Sequence, residues 1–242
     1  MSKITKAAII AGLTTFFFVS GSDARKMCHD TTCSTAVTHS FGYISPGFTW
    51  VDNDNLNNFL ATLGIGSFRE NSATLSFGKR KEIRKIIGES ALRLRYWDSE
   101  VNTGIRSSLF MGDILWNAGF NLMPLNTPAV IFPYAGLGVG LNTLRIRSES
   151  KTLSELLEST EPNAFIWQAA FLINVGAGAD FKIAKKDARG GIVLGIRSGY
   201  LFDPFTKNRD WYSNGSEITD IPVLKQSGPY IQLIVGGWHN RN

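Results

Sequence analysis

The sequence offers few residues of the kinds that carry out acid–base or nucleophilic chemistry. Its three histidines are His29, His39 and His239. None of them stands with a nucleophile at a spacing typical of covalent catalysis. His39 opens one predicted strand and His239 follows the last one, so both are expected at the same rim of the fold. The sequence therefore predicts no catalytic residue, no enzyme activity and no cofactor.

Cys28 and Cys33 are the two cysteines of the chain and lie in the segment CHDTTC. Together with His29 they supply metal-ligating side chains, but a structural zinc site takes four ligands and no second cluster follows. In an oxidising compartment, two cysteines so close together form a disulfide. We therefore predict a disulfide between Cys28 and Cys33 and no metal site.

Residues 1–24 have the composition of a secretory signal peptide. Two lysines precede the apolar run AAIIAGLTTFFFV, and Ser22-Asp23-Ala24 supplies a small-x-small cleavage site. A retained N-terminal anchor is the alternative. The sequence thus predicts a signal peptide at 1–24, a periplasmic segment at 25–36 and one folded domain at 37–242.

Two glycine runs, GLGVG and GAGAD, are similar to loops that bind phosphate groups. A dinucleotide-binding glycine loop lies between a strand and a helix. Both runs lie inside predicted strands, so the dinucleotide interpretation fails. Small residues facing a crowded interior explain the glycines better.

Residues 164–183, AFIWQAAFLINVGAGADFKI, are long and apolar enough for a membrane helix but alternate at period two. Gln168, Asn174, Asp180 and Lys182 share one parity, whereas the other parity is apolar. This alternation is typical of a strand, because successive side chains point to opposite faces of a sheet. Similar patterns predict eight strands, at 37–51, 71–83, 85–97, 105–123, 129–146, 164–183, 190–202 and 229–238.

Two of the links between strands are predicted to contain short helices. Apolar residues recur at helical spacing across LNNFLATL, residues 56–63. Asn53 or Asp54 is expected to cap the start of this helix, and Gly64 its end. A capping box in TLSE, residues 152–155, predicts a second helix.

The lengths of the links alternate along the chain. Links after the second, fourth and sixth strands are short, and the long links all follow odd-numbered strands. In an up-and-down barrel, odd links share one end and even links the other. Short turns at the periplasmic end and long loops outside are typical of outer-membrane barrels. The pattern predicts an all-β fold, an eight-stranded antiparallel transmembrane barrel with short helices in its outer loops.

The polar parity of the strands carries charges of both signs among small residues. A soluble lipocalin-like barrel needs the reverse, an apolar interior and a polar exterior. Because buried charges are costly unless paired, we expect ion pairs that fill the interior and leave no conducting pore. The predicted charge network of the lumen comprises Glu89, Arg93, Arg95, Asp113, Asp180 and Arg197.

Composition excludes some classes of protein. The 242 residues carry a formal net charge of +5. A mean hydropathy of -0.02 is too polar for a helical membrane bundle. A basic chain can bind nucleic acid or anionic lipid, but no nucleic-acid-binding signature is present, so no nucleic-acid partner is expected.

The chain also resembles a group of uncharacterised bacterial outer-membrane β-barrel proteins, with the small eight-stranded architecture of the OmpA and OmpX type. The similarity lies in GYISPGF, LNNFLATLG, FPYAGLGVG, INVGAGADFKI, GIVLGIRSGYLFDPF and GPYIQLIVGG, which together cover most of the chain after residue 40. The resemblance implies a location in the bacterial outer membrane and no assigned activity.

The predicted function is that of an integral outer-membrane barrel with a structural or surface-binding role. Its expected partners are outer-membrane lipid and an extracellular partner bound through the long loops, and the barrel is expected to be a monomer. One alternative is a soluble exported lipocalin-like barrel that binds an apolar ligand. A lipid-modifying enzyme of the outer membrane is a further, less favoured alternative.

Overall fold

The structure is a computed structural model that describes residues 38–99, 105–125, 127–148, 164–183, 190–206, 209–218 and 220–241. These ranges contain one helix, α1 (Asp54–Thr62), and ten strands. The strands are β1 (Thr38–Trp50), β2 (Asn71–Ile83), β3 (Ile86–Asp98), β4 (Ile105–Phe120), β5 (Ala129–Ser148), β6 (Ala164–Ile183), β7 (Gly190–Phe202), β8 (Trp211–Ser213), β9 (Ser216–Ile218) and β10 (Gly228–Arg241).

The eight long strands of the described chain form a closed barrel. Each pairs antiparallel with its neighbours in the order β5, β4, β3, β2, β1, β10, β7, β6, and β5 pairs with β6 to close the ring. Closure pairs every long strand on both sides along most of its length, and an unpaired edge in hydrocarbon would be costly. The predicted all-β, eight-stranded up-and-down barrel is confirmed, and the predicted strand bounds agree to within a few residues.

The strands are strongly tilted relative to the barrel axis. From Ile44 in β1, the register leads through β2, β3 and β4 to Val139 in β5. In the other direction it leads through β10, β7 and β6 to Ala129, so one circuit is offset by ten residues. Ten residues at ~3.3 Å over eight strand spacings of ~4.8 Å correspond to a tilt of about 40°. An eight-stranded barrel of this kind has an interior that side chains can fill.

The antiparallel order divides the links between two ends of the barrel. Strands β2, β4, β6 and β10 end, and β1 begins, at one end, here called the short-link end. The link between β2 and β3 is only Arg84 and Lys85, with Arg84 at a φ of 55°. The links after β1, β3, β5 and β7 lie at the opposite, long-link end, as the alternation of link lengths predicts.

Helix α1 lies in the first long link and ends where the sequence predicts. Gly64 has a φ of 70°, a left-handed conformation that glycine adopts without strain. Ile65 N–H donates to Leu60 O at 2.9 Å and Gly64 N–H donates to Ala61 O at 3.0 Å. These two bonds form a Schellman motif, which satisfies carbonyls that the last turn leaves free.

The predicted side-chain cap at the start of α1 is wrong. Asn53 occupies the N-cap position but makes no capping hydrogen bond. Its amide donates instead to Arg69 O at 3.0 Å. Asn57 also binds the segment that leads into β2, because it donates to Phe68 O at 2.9 Å and accepts from Phe68 N–H at 2.8 Å. The side chains of Asn53 and Asn57 thus bind α1 to the segment that connects it to β2.

The last long link contains a small hairpin that the sequence analysis missed. Strands β8 and β9 pair around Asn214 and Gly215, which have φ angles of 47° and 84°. An Asn-Gly pair favours this two-residue turn, because both residues tolerate positive φ. Tyr212 extends the hairpin onto β6 by pairing with Trp167, and the two rings stack at 5.0 Å.

An apolar cluster closes the long-link end of the barrel. It joins side chains from the walls, from α1 and from the last long link, and Trp211 is its largest fully buried member. The indole N–H of Trp211 donates to Pro222 O at 2.9 Å. The buried members are Val51, Leu56, Leu60, Ile65, Phe68, Trp97, Leu109, Met111, Leu144, Ile166, Trp211 and Leu224.

The outer wall of the barrel is apolar. Outward side chains from every long strand are large hydrophobics that remain more than a third exposed, such as Phe77, Leu137, Phe181 and Leu233. Inward positions of the same strands are buried, so burial alternates along β2, β3 and β4. Within the described ranges, no helix has the length and hydropathy to cross a membrane.

Three predictions fall on residues outside the described ranges. These are the signal peptide at 1–24 with the following segment at 25–36, the Cys28–Cys33 disulfide and the helix at 152–155. They stay predictions.

Candidate functional site in the charged interior

The inward parity of the strands places all six charged residues of the predicted network inside the barrel. Each of them is at most 9 % exposed. The six residues are Glu89, Arg93, Arg95, Asp113, Asp180 and Arg197. Their parity places them there because a strand whose alternate residues face lipid must turn the intervening ones inward.

The first charge cluster lies toward the long-link end and centres on Asp113. Its Oδ2 accepts from Arg93 Nε at 3.0 Å and from Arg95 Nη2 at 2.6 Å. Arg95 Nη2 also donates to Gln226 Oε1 at 3.1 Å. Gln226 belongs to the last long link, and its amide also donates to Asn142 in β5. The cluster thus binds the closing link to the barrel wall.

The second charge cluster lies toward the short-link end and centres on Asp180. Arg197 binds it with two nitrogens, at 2.5 Å to Oδ1 and 3.0 Å to Oδ2. Arg80 forms an ion pair with the same Oδ2. Arg197 also lies 3.6 Å from Glu89, whose Oε1 accepts from Asn117 at 3.3 Å. Strands β2, β3, β6 and β7 are therefore joined across the interior.

Glu82 extends the second cluster to the short-link end. Lys182 lies 3.0 Å from its Oε2, and Asn121 donates to its Oε1 at 3.2 Å. Arg80 lies 3.9 Å from the same Oε2. Buried carboxylates and cations are balanced here, which reduces the free-energy cost of burying them.

A chain of neutral polar groups connects the two clusters. The hydroxyls of Tyr134 and Tyr230 lie 2.7 Å apart. Tyr230 donates to Asn174 Oδ1 at 2.8 Å, and Asn174 donates to Asn117 Oδ1 at 2.8 Å. The guanidinium of Arg93 lies 5.0 Å from the centroid of the Tyr230 ring, within the range of a cation–π contact.

Glycines make room for these side chains. A Cβ at Gly140 would lie 2.6 Å from the Gln226 amide, and one at Gly178 would lie 2.8 Å from Arg197 Nη1. The GLGVG and GAGAD runs therefore admit bulky polar side chains from neighbouring strands.

A cavity beside Arg80 and Asp180 measures about 10 Å³, roughly the space of one water.

The described residues offer little for catalysis or metal binding. His39 packs edge-on against Trp238 at 5.7 Å, whereas His239 belongs to the opposite, outward face of the wall. Among the described ranges, no group of three or more His, Cys, Asp and Glu is close enough to hold a metal ion. The charged side chains of the interior form ion pairs with one another and fill the barrel.

Three members of the network were not predicted from the sequence. Arg80, Glu82 and Lys182 share the inward parity with Ser76 and Asp180, so parity was the signal that could have found them. Gln226 could not be found in this way, because it lies in a link without regular alternation. Trp211 also lies in this link, and its burial makes it part of the closing cluster.

Comparisons with known proteins give similarity in fold. No family model matches the chain and no curated protein matches it. Three solved structures are similar over most of their length. Ail of Yersinia pestis, in complex with the heparin analogue sucrose octasulfate, is 11% identical with a TM-score of 0.45, over 85% of this chain and 99% of that one. A major outer membrane protein of Thermus thermophilus is 10% identical with a TM-score of 0.43, over 84% and 99%.

Neisserial surface protein A is 11% identical with a TM-score of 0.38, over 84% of this chain and 96% of that one. Such distant likenesses concern the fold alone. The closed wall, its apolar outer face and its charged interior follow from the chain's own residues. The protein has the architecture of a small eight-stranded outer-membrane β-barrel.

Proposed function

We propose that the protein is a monomeric, integral barrel of the bacterial outer membrane that anchors its long links at the outer surface. The observation that carries this proposal is the division of the wall into two faces. Outward Leu137 and Leu233 are 52% and 59% exposed, whereas inward Asp113 and Arg95 are 0% and 1% exposed. Lipid stabilises the first face, and the paired charges suit a closed interior.

Water would not suit this outer face. Soluble monomers rarely expose contiguous apolar patches larger than a few hundred Å², yet apolar side chains here surround the whole wall. The soluble lipocalin-like alternative also needs an apolar interior. Its interior would have to accommodate the ion pairs of Asp113 and Asp180 beside the ligand.

A filled interior argues against a channel. Charged and aromatic side chains span the barrel from Glu82 at one end to Arg95 near the other. Beyond Arg95, the apolar cluster around Trp211 covers the long-link end. Ions that crossed this interior would have to displace ion pairs that are bonded within it. The protein is therefore an anchor and not a porin, and its role is structural or surface-binding.

The long-link end supplies the surface for any partner outside the cell. Outward Arg145 and Arg147 lie beyond the apolar part of β5 and are exposed. Cations at this level suit the anionic headgroups of outer-membrane lipid. The predicted signal peptide would direct the chain to the export pathway, and the predicted Cys28–Cys33 disulfide would form after export.

Membrane fractionation and gel migration with and without heating test the proposal. Folded outer-membrane barrels resist dissociation by detergent, so the unheated band should migrate differently from the heated one. The purified protein should also form no steady open channels in planar bilayers. A chain that remains soluble without detergent contradicts the membrane assignment, and porin-sized channels contradict the filled interior.

A further inference from the structure

The seam between β2 and β3 is open at the long-link end of the barrel. The ladder between these strands stops at Thr74 and Arg95. Beyond this point β2 continues for three residues paired only with β1, and β3 continues for three residues paired only with β4. The same register would bring Ala73 opposite Tyr96 and then Ser72 opposite Trp97, but neither pair forms.

A groove of about 250 Å³ lies on the outer wall over this seam. The outward residues that line it are apolar: Ala73, Leu75, Leu94, Tyr96 and Phe110. Leu75, Tyr96 and Phe110 are 41%, 57% and 39% exposed. Arg95 also lines the groove, from the inner side of the wall. The groove therefore lies on a lipid-facing surface with a buried cation on the inner side of the same wall.

Three residues on the inner side of the seam have polar groups without partners. Arg95 uses one nitrogen, Nη2, for its bonds to Asp113 and Gln226, whereas Nε and Nη1 make no hydrogen bond. The indole N–H of Trp97 and the hydroxyl of Ser72 are also buried without a partner. Arg95, Trp97 and Ser72 are 1%, 4% and 6% exposed. Buried polar groups are nearly always bonded, so these unpartnered donors beside the open end of the ladder require an explanation.

The charges at this place are not balanced. Arg93 and Arg95 share the single carboxylate of Asp113. Within the described residues neither arginine has another carboxylate partner, so the cluster holds one excess positive charge. A buried charge without a partner is costly, and a group with a negative charge and several acceptor oxygens would neutralise it. Phosphate and carboxylate groups have this chemistry.

We propose that the seam between β2 and β3 binds an anionic membrane lipid. Its headgroup accepts hydrogen bonds from Arg95 and Trp97, and its acyl chain lies in the groove against Leu75, Leu94 and Phe110. An apolar groove beside the hydrogen-bond donors of Arg95 and Trp97 favours a molecule with both an acyl chain and an anionic group over a free anion. This inference rests on the membrane location proposed above.

Native mass spectrometry of the folded protein tests the proposal. The probes are phosphatidylglycerol, which is anionic, and phosphatidylcholine with the same acyl chains. Phosphatidylglycerol should bind at least about tenfold more tightly, as expected for a charge-assisted interaction. Ala73→Trp fills the groove from an exposed position and should abolish this preference. Ala169→Trp, the same substitution at an exposed outward position of β6, is the matched control and should preserve it.

Trp97→Phe tests the headgroup contact with little change in shape. Loss of one hydrogen bond to a charged group should weaken phosphatidylglycerol binding by about tenfold. Equal binding of the two lipids, or equal behaviour of Ala73→Trp and Ala169→Trp, overturns the proposal. Complete displacement of the lipid by inorganic phosphate at equal concentration also overturns it, because the site would then be a simple anion site. Gel migration of the same samples before and after heating tests the membrane assignment separately. If migration still changes on heating but the lipid preference is absent, the lipid site is wrong and the membrane assignment stands.

Discussion

Replacing Arg197 by alanine should destabilise the barrel strongly. Arg197 is 3% exposed, binds both oxygens of Asp180 and lies 3.6 Å from Glu89. Its guanidinium also lies 4.6 Å from the centre of the Phe132 ring. Alanine leaves the carboxylates of the second cluster with one cation fewer. Removing one partner of a buried ion pair costs about 3–5 kcal/mol, since the other charge is left uncompensated.

The assay is urea unfolding of the barrel in lipid vesicles, followed by tryptophan fluorescence and by gel migration without heating. For a urea slope of about 1–3 kcal/mol/M, a loss of ~3 kcal/mol lowers the midpoint by roughly 1–3 M. Arg145→Ala removes an exposed arginine from the outer face of β5 and is the matched control. In vesicles of uncharged phosphatidylcholine, where attraction to anionic headgroups is absent, it should change the free energy of unfolding by less than about 0.5 kcal/mol.

A second substitution separates charge balance from packing. Glu89→Gln in the Arg197→Ala background restores equal numbers of cations and carboxylates in the second cluster. It should recover part of the lost stability, whereas Glu89→Gln alone should be destabilising. If Arg197→Ala unfolds at the same urea concentration as Arg145→Ala, the ion pairs of the interior do not stabilise the barrel and the reasoning is refuted.

Three further substitutions test other parts of the structure. Trp211→Ala should lower the free energy of unfolding by about 3–5 kcal/mol in the same urea assay, because it removes the largest fully buried side chain of the closing cluster; a loss below about 1 kcal/mol would show that the cluster does not hold the long-link end. Leu137→Arg places a charge on the lipid-facing wall and should cost about 2–4 kcal/mol if the position is near the middle of the bilayer; a neutral effect would contradict that facing. Cys28→Ser should leave the urea midpoint unchanged, and mass spectrometry of the unmodified protein should detect no free thiol at Cys28 or Cys33, whereas two free thiols would contradict the predicted disulfide.

Much of the barrel could be predicted from the sequence because membrane barrels impose period two on every strand. In β6 the polar residues of one parity, from Gln168 to Lys182, all lie inward, and the apolar parity faces out. The alternating link lengths then predicted which links lie at the same end of the barrel. Gly64 also ended α1 as predicted, since few other residues adopt its φ without strain.

Other features depend on contacts between distant segments. Asn53 was expected to cap α1, but its side chain bonds to Arg69 instead. Closure of the barrel places Arg80 of β2 within reach of Asp180 of β6, a hundred residues away. The open end of the seam between β2 and β3 has no signal in the sequence, because both strands keep their alternation beyond Thr74 and Arg95. The β8–β9 hairpin, by contrast, had a local signal in Asn214-Gly215.

The facing of β6 tests the central claim most directly. Single cysteines at consecutive positions from 165 to 182, in a background without Cys28 and Cys33, would carry nitroxide labels on the protein reconstituted in lipid vesicles. Collision of the labels with oxygen, which concentrates in the bilayer, should alternate with period two. High collision rates are predicted at odd positions such as Phe171 and low rates at even positions such as Asn174. Reversed parity, or equal rates at both, would contradict a barrel with an apolar outer wall in lipid and a charged interior.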